Sequence, residues 1–317
     1  MLFRSVGRRG LPGGRDGRPA GSKPSAIYHI RAWRLALGVA RLVPLSCFQF
    51  ICVAGARVYR VLNPARFSVV SDNLRAVVGD ARANEEAARL FGRFGIKLCD
   101  LWRYEAGLPV QDQFRELTGW ENLRSAVETG RGVLLITIHL GNWEFGAPLL
   151  AARGIRLLVL TQPEPGDGFT EMRRSARERW GIETFVVGED PFAFVEIIKR
   201  LQAGRAVALL MDRPPPGSGV EVELFGQPFM ASIAAAELAR ASGCMLVPAF
   251  IPKTGTGYAA HILQPVAYDR ATLNSRASRT ALTAEILRVF EPAIRKHPDQ
   301  WFHFVPLWPK RAASKER

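Results

Sequence analysis

The feature that most constrains the fold is an alternation of short apolar strands with helical segments between residues 133 and 250. Strands are predicted at 133–138, 157–161, 182–187, 206–211 and 244–250. Segments with helical spacing lie between them at 143–154, 169–180, 191–204 and 232–243, and each ends at or beside a glycine. Fully apolar strands separated by helices are typical of a buried parallel sheet. The sequence therefore predicts an α/β fold with a largely parallel central sheet flanked by helices.

Positive charge is concentrated near the N-terminus. The 317 residues contain 43 Lys+Arg against 29 Asp+Glu, a net charge of +14, which indicates an anionic partner such as a lipid, a nucleic acid or an acidic carrier. Residues 1–26 are rich in Gly, Pro and Arg and are predicted to be a disordered basic arm, and residues 311–317 a basic tail. The arm lacks interleaved aromatic residues, so nucleic-acid binding is not expected.

An apolar stretch from 42 to 56 follows the arm. It contains fifteen residues without a charge, between Arg41 and Arg57. A full membrane span needs about 20 residues, although flanking arginines can extend a shorter one by snorkelling. Basic flanks favour anionic lipid, so we predict that residues 27–62 form a helix attached to the cytoplasmic leaflet of a membrane. The alternative is that this segment is a buried first helix of a globular domain. The main domain is predicted to cover residues 63–310.

Several common chemistries lack support. The four cysteines form no CxxC pair, which argues against a zinc ribbon and against a disulfide framework. The GxSxG, HExxH and GxxxxGK[ST] motifs are absent from the sequence. We expect no metal at His139, because no second histidine or cysteine lies at ligand spacing from it. No cofactor is expected either.

The segment 138–144, IHLGNWE, is the strongest candidate for a site. His139 follows the first predicted strand, at the sheet edge where open α/β folds bind ligands. Glu144 follows a tight Gly141–Asn142 turn, and we expect it to accept a hydrogen bond from one ring nitrogen of His139. The other nitrogen would then be basic toward a substrate hydroxyl. The alternative is that Asn142 and Glu144 serve only the helix N-terminus and that His139 is a core histidine.

HLGNWE after an apolar strand resembles the His-x4-acid motif of the glycerolipid and lysophospholipid acyltransferase superfamily, in the form found in the bacterial lipid A biosynthesis acyltransferase family. Further segments follow in that family's order across roughly residues 30–310. They are Asp72-Asn73-Leu74 after Arg66, the loop at Asp212, LFGQPF (224–229), LVPAF (246–250) and Pro298-Asp299-Gln300-Trp301. Together these segments are specific for the family, whereas singly only the first is.

The resemblance implies a membrane-associated O-acyltransferase in which 63–310 is the catalytic domain. It implies that His139 is the general base, that Glu144 orients it, and that no covalent acyl-enzyme forms. The acyl donor is expected to be acyl carrier protein or acyl-CoA, and the acceptor a lipid hydroxyl, as in late acylation of lipid A. The resemblance also implies a functional arginine in the helix before the third strand, one source of stabilisation for the oxyanion. The candidates there are Arg173, Arg174, Arg177 and Arg179, of which Arg177 is favoured and Arg174 is second.

The same resemblance places Asn142, Asp212 and Arg213 among the substrate-binding residues. The family usually has Gln after this aspartate, whereas this chain has Arg213 and three prolines. The departure leaves the acceptor open to a lysophospholipid, a mannosylated lipid or an ornithine lipid. Arg213 could pair with a phosphate or with Glu221. A further alternative is a basic membrane-binding protein without catalysis, in which His139 is structural.

Overall fold

A computed structural model describes residues 29–164, 168–187, 192–215 and 217–308. The predicted basic arm (1–26) and basic tail (311–317) lie outside the described residues. The helices are α1 (Ile30–Leu42), α2 (Leu45–Leu62), α3 (Pro64–Val78), α4 (Asp80–Glu105), α5 (Trp120–Glu128), α6 (Gly146–Ala151), α7 (Phe169–Glu178), α8 (Ala193–Gln202), α9 (Ala234–Ser242), α10 (Arg276–Arg288) and α11 (Glu291–Lys296).

The strands form one large sheet and one separate hairpin. They are β1 (Phe114–Thr118), β2 (Val133–Thr137), β3 (Leu157–Thr161), β4 (Glu183–Val186), β5 (Ala206–Leu210), β6 (Gly219–Leu224), β7 (Gln227–Ser232), β8 (Met245–Phe250), β9 (Lys253–Thr254) and β10 (Gly257–Ile262). In the large sheet the order is β1-β10-β8-β2-β5-β3-β4, and β9 pairs with β10. The run β8-β2-β5-β3-β4 is parallel throughout, which confirms the predicted fold class.

The helix predicted after His139 is shorter in the structure than the sequence pattern indicates. The predicted helix at 143–154 is a 3₁₀ turn over Trp143–Phe145 followed by the short α6. Pro148 lies in the first turn of α6, where its missing N–H needs no partner. Strand β6 pairs antiparallel with β7 in the separate hairpin. Strand β10 pairs antiparallel with β8.

The N-terminal apolar segment forms two helices rather than one. Val43 is extended and Pro44 begins a new helix, because proline cannot continue the preceding ladder of hydrogen bonds and disfavours a helical residue before it. By length and composition alone, α2 could cross a membrane, the one such helix among the described residues. Many of its apolar side chains are exposed, among them Phe50, Ile51, Val58, Val61 and Leu62. They offer an apolar surface beside Arg57 and Arg60.

Candidate active site

His139 and Asp212 meet because they follow neighbouring strands. β2 and β5 are parallel and paired so that Thr137 lies opposite Leu210, and each polar residue comes two positions later. The imidazole Nδ1 of His139 lies 2.7 Å from Asp212 Oδ1, and the His139 backbone N–H donates to Asp212 Oδ2 at 2.9 Å. Asp212 is fully buried, whereas the His139 side chain is 18% exposed. The pair stands at the carboxyl edge of the sheet, where α/β folds bind ligands.

Three other donors complete the environment of the Asp212 carboxylate. Oδ2 accepts from Trp301 Nε1 at 3.1 Å and from His303 Nε2 at 2.7 Å, in addition to the backbone N–H of His139. Burial alone would raise the pKa of Asp212, but the charges and hydrogen bonds of His139 and His303 outweigh it and hold the pKa well below its usual range. Burial lowers the pKa of His303. Asp212 is therefore a carboxylate that accepts from its neighbours.

This environment determines which nitrogen of His139 is basic. An ionised Asp212 can only accept, so His139 Nδ1 carries the hydrogen in their 2.7 Å contact. The lone pair of the neutral imidazole is then on Nε2, the nitrogen that points away from Asp212. A carboxylate behind the ring also stabilises the imidazolium that forms when Nε2 takes a proton. The arrangement has the parts of a general base.

Backbone contacts fix the turn that carries His139. Gly141 has a φ of 66°, and a Cβ there would come within 2.0 Å of the Ile251 carbonyl oxygen, so only glycine fits. Gly141 N–H donates to the Gln300 carbonyl at 2.9 Å, and Asn142 N–H donates to the Ile251 carbonyl at 2.8 Å. The Phe302 N–H closes the clamp on the carbonyl of His139 at 2.8 Å. The predicted motif at 298–301 therefore holds the turn as well as supplying Trp301.

The expected contact between Glu144 and His139 is wrong. Glu144 binds two guanidinium groups of α7 instead, Arg177 at 2.9 and 3.0 Å and Arg173 at 2.8 Å. Burial would raise the pKa of Glu144, but Arg177 and then Arg173 overcome this and hold the pKa far below its ordinary value. Two opposite charges satisfy the carboxylate more strongly than one imidazole could. The carboxylate that contacts His139 is Asp212.

Arg173 is the centre of a buried ionic network behind the turn. Its Nε donates to Glu105 at 2.8 Å, its Nη1 to Glu164 at 2.5 Å and its Nη2 to Glu144. Arg173 is one of the four candidate arginines of this helix, of which Arg177 and Arg174 are favoured from the sequence. Arg174 lies on the outer face of α7 in ion pairs with Glu171 and Glu178, and its side chain is 45% exposed.

Lys97 of α4 is a buried basic residue near the site, and no motif in the sequence indicates it. Its Nζ lies 3.5 Å from the ring centroid of Trp143, and the Trp143 ring packs edge-on against His139 at 4.8 Å. Burial lowers the pKa of Lys97 to about 7, against the opposing influence of Glu144. Lys97 thus supports one wall of the His139 ring.

The remaining predicted residues have varied positions. Asn142 is fully buried, and neither of its side-chain polar atoms has a partner among the described residues, so it does not cap the following turn. Arg213 is exposed next to Asp212. The roles predicted for Asn142 and Arg213 in substrate binding, and for Arg177 and Arg174 at the oxyanion, stay predictions.

The metal question also changes, because the structure brings a second histidine to the site. One ligand atom each from His139, Asp212 and His303 lies within 4.8 Å of the others, so the three could hold a metal ion by count. Both imidazoles are, however, already at hydrogen-bond distance from the carboxylate, 2.7 Å in each case. Hydrogen bonds to Asp212 therefore account for the positions of both imidazoles. The expectation that no second histidine lies near His139 is wrong, because His303 is part of the cluster.

The fold and the site together place a histidine, hydrogen-bonded to a buried carboxylate, at the end of a buried parallel strand of an α/β protein. Residues 24–310 match the family model described as bacterial lipid A biosynthesis acyltransferase, so the chain belongs to that family and is an acyltransferase.

Curated relatives carry a narrower name. A phosphatidylinositol mannoside acyltransferase of Mycolicibacterium smegmatis is 27% identical over 298 residues, which are 92% of this chain and 93% of that protein. A protein of the same name from Mycobacterium tuberculosis is 26% identical over 216 residues, 65% of this chain and 66% of that protein.

Proposed function

We propose that the protein transfers a fatty acyl chain from a thioester donor to a hydroxyl group of a mannosylated glycolipid, with His139 as the general base. The observation that carries the mechanism is the 2.7 Å contact of His139 Nδ1 with the buried Asp212 carboxylate, which leaves Nε2 as the basic nitrogen. General-base catalysis of this kind contributes about 10²–10⁴-fold to the rate.

The chemistry balances without a covalent enzyme intermediate. His139 Nε2 takes the proton of the acceptor hydroxyl, and the oxygen forms a bond to the thioester carbonyl carbon. Collapse of the tetrahedral intermediate breaks the carbon–sulfur bond, and the imidazolium returns the proton to the leaving thiolate. Asp212 stabilises the imidazolium in between. Arg177 and Arg173 act on the turn through Glu144, since both guanidinium groups are bound to that carboxylate.

The acceptor proposal rests on the relatives. The match to the Mycolicibacterium smegmatis protein extends over almost the full length of both chains, and that protein is named for phosphatidylinositol mannoside. Arg213 beside Asp212 is exposed and could bind a phosphate of such an acceptor. Lipid A-type late acylation is the second candidate, because it is the description of the family whose model matches the chain.

The donor and the location complete the proposal. Acylated acyl carrier protein and acyl-CoA are both anionic thioester donors, and the net charge of +14 favours the approach of either. We propose that α2 attaches the protein to the inner membrane with the active site on its cytoplasmic side. The exposed apolar residues of α2 and the neighbouring Arg57 and Arg60 support this location.

The test is a matched assay of purified full-length protein in vesicles. Acyl-CoA and acyl carrier protein thioesters are each offered with a phosphatidylinositol mannoside, a lipid A precursor, a lysophospholipid and an ornithine lipid, and products are identified by mass spectrometry. We expect a phosphatidylinositol mannoside that carries one additional acyl chain. Turnover should be about 10²–10⁴-fold lower in His139→Ala than in wild type. A His139→Ala variant with wild-type turnover would contradict the mechanism. Wild-type protein that binds vesicles but acylates none of the acceptors would favour the non-catalytic membrane-binding alternative.

A further inference from the structure

Helix α1 extends from the protein surface to the ionic network behind the active-site turn. Its outer residues Leu35 and Leu42 are exposed, whereas Trp33 on its inner side is 2% exposed. We propose that Trp33 is a positioning residue for the active site, because its indole N–H fixes the carboxylate that orients Arg173 against Glu144. The inference rests on the proposed function for its kinetic test and on the structure alone for its second test.

A chain of hydrogen bonds connects Trp33 to the turn. Trp33 Nε1 donates to Glu105 Oε2 at 2.6 Å, and Arg173 Nε donates to Glu105 Oε1 at 2.8 Å. Arg173 Nη2 then donates to Glu144 Oε1 at 2.8 Å, five residues after His139. Four groups therefore link α1, α4, α7 and the turn. The membrane-associated end of the protein and the catalytic turn share one network.

The indole N–H matters because Glu105 is buried and each of its oxygens has a different donor. Without Trp33 Nε1, Oε2 loses its donor in a place that water reaches poorly, and an unsatisfied buried carboxylate is costly. The nearest remedy is a closer approach of the Arg173 guanidinium, which is planar and rigid. Turning that group toward Glu105 draws Nη2 away from Glu144. Loss of a distant donor thus loosens the turn that carries His139.

Trp102 provides a matched control within the same cluster. It packs edge-on against Trp33 with ring centroids 5.4 Å apart, and its Nε1 is buried without a hydrogen-bond partner among the described residues. Trp→Phe at either position removes one indole N–H and leaves an aromatic ring. Only the change at residue 33 removes a donor from the network.

The kinetic test compares Trp33→Phe with Trp102→Phe in full-length protein on anionic vesicles. We expect Trp33→Phe to lower kcat about tenfold, which corresponds to about 1.4 kcal/mol, with KM and vesicle binding within about twofold of wild type. Trp102→Phe should stay within about twofold in kcat. In a Glu105→Gln background, Trp33→Phe should cause little further loss, because both changes break the same link. Equal losses in the two tryptophan variants, or a full tenfold loss on top of Glu105→Gln, would overturn the proposal.

The second test does not depend on acyl transfer. Hydrogen–deuterium exchange of backbone amides 141–145 should be severalfold faster in Trp33→Phe than in Trp102→Phe, with α3 and α10 unchanged. If Trp33→Phe does not fold, Glu105→Gln replaces it in the same comparison and should also accelerate exchange at the turn. Unchanged exchange at the turn would overturn the proposal even in an active enzyme. Increased exchange in a protein without acyltransferase activity would support the link and contradict only the proposed function.

Discussion

Asp212 contacts His139 in space, and Glu144 follows it by five residues in sequence. Both carboxylates are shielded from solvent, and their surroundings differ in one decisive respect. Asp212 accepts from two imidazoles, which are groups that can take up a proton, and from an indole N–H, which is a neutral donor. Glu144 is held by two guanidinium groups whose charge is permanent. The carboxylate of Asp212 can stabilise an imidazolium as it forms. The carboxylate of Glu144 is already paired with two permanent positive charges. We therefore propose that the carboxylate nearest to His139 in sequence is structural and that the distant one supports the base.

Removal of one of the two guanidinium groups that bind Glu144 should cause the largest loss in the free energy of unfolding. Arg177→Met leaves a buried carboxylate short of one cation, and removal of one partner from a buried pair costs about 3–5 kcal/mol. Arg174→Met is the matched control on the same helix, because its ion pairs are exposed and such pairs contribute only about 0–1 kcal/mol. Denaturant unfolding in detergent measures both. Similar losses in the two variants would show that the Arg177 pair is no stronger than a surface pair.

Acid should weaken this environment with a defined sign. The pKa of Glu144 is lowered in the folded protein, because Arg177 and Arg173 overcome the cost of burial. Its contribution to the free energy of unfolding is therefore complete above the ordinary value of 4.5 and is lost as the pH falls toward the lower folded pKa. Unfolding measured between pH 6 and pH 3 should show a smaller decline in Glu144→Gln than in wild type. An equal decline in both proteins would contradict the assignment.

A milder change tests the Asp212 environment. His303→Phe removes one donor from the carboxylate, and we expect kcat to fall by about fivefold, which corresponds to about 1 kcal/mol, the typical net contribution of one hydrogen bond. His303→Gln can still donate from its amide and should retain most of the activity. Steady-state kcat of the two variants measures the difference. A loss in His303→Gln as large as that in His303→Phe would indicate that ring packing, rather than the donated hydrogen bond, is what matters.

The sequence was sufficient to predict the parallel sheet and the place of His139, because apolar runs and the residue after each run are local features. It could not predict that β5 lies beside β2, since β3 and β4 intervene along the chain and strand order depends on packing. The partner of His139 follows β5, so the nearer acid, Glu144, was selected instead.

A second miss had a usable signal. Phe169, Arg173 and Ala176 lie at i, i+4 and i+7 on α7, which is the spacing of one helix face, and all three are buried. Arg177 continues that face, whereas Arg174 lies on the opposite side. Helical periodicity could therefore have selected Arg173 and rejected Arg174. His303 had no comparable signal, because it reaches Asp212 only through the extended segment after the motif at 298–301.

The most direct test of the account places Asp212→Asn beside Glu144→Gln. Both changes replace a carboxylate by an amide of the same shape, and both proteins are first compared with wild type by far-UV circular dichroism and thermal unfolding. We predict that Asp212→Asn lowers kcat by at least about 10²-fold, because an amide cannot stabilise the imidazolium of His139. Glu144→Gln should lower thermal stability, and at a temperature below its transition it should lower kcat only about tenfold, because Glu144 acts on His139 through the turn. A folded Glu144→Gln variant as inactive as Asp212→Asn, or an Asp212→Asn variant with wild-type turnover, would contradict the central claim.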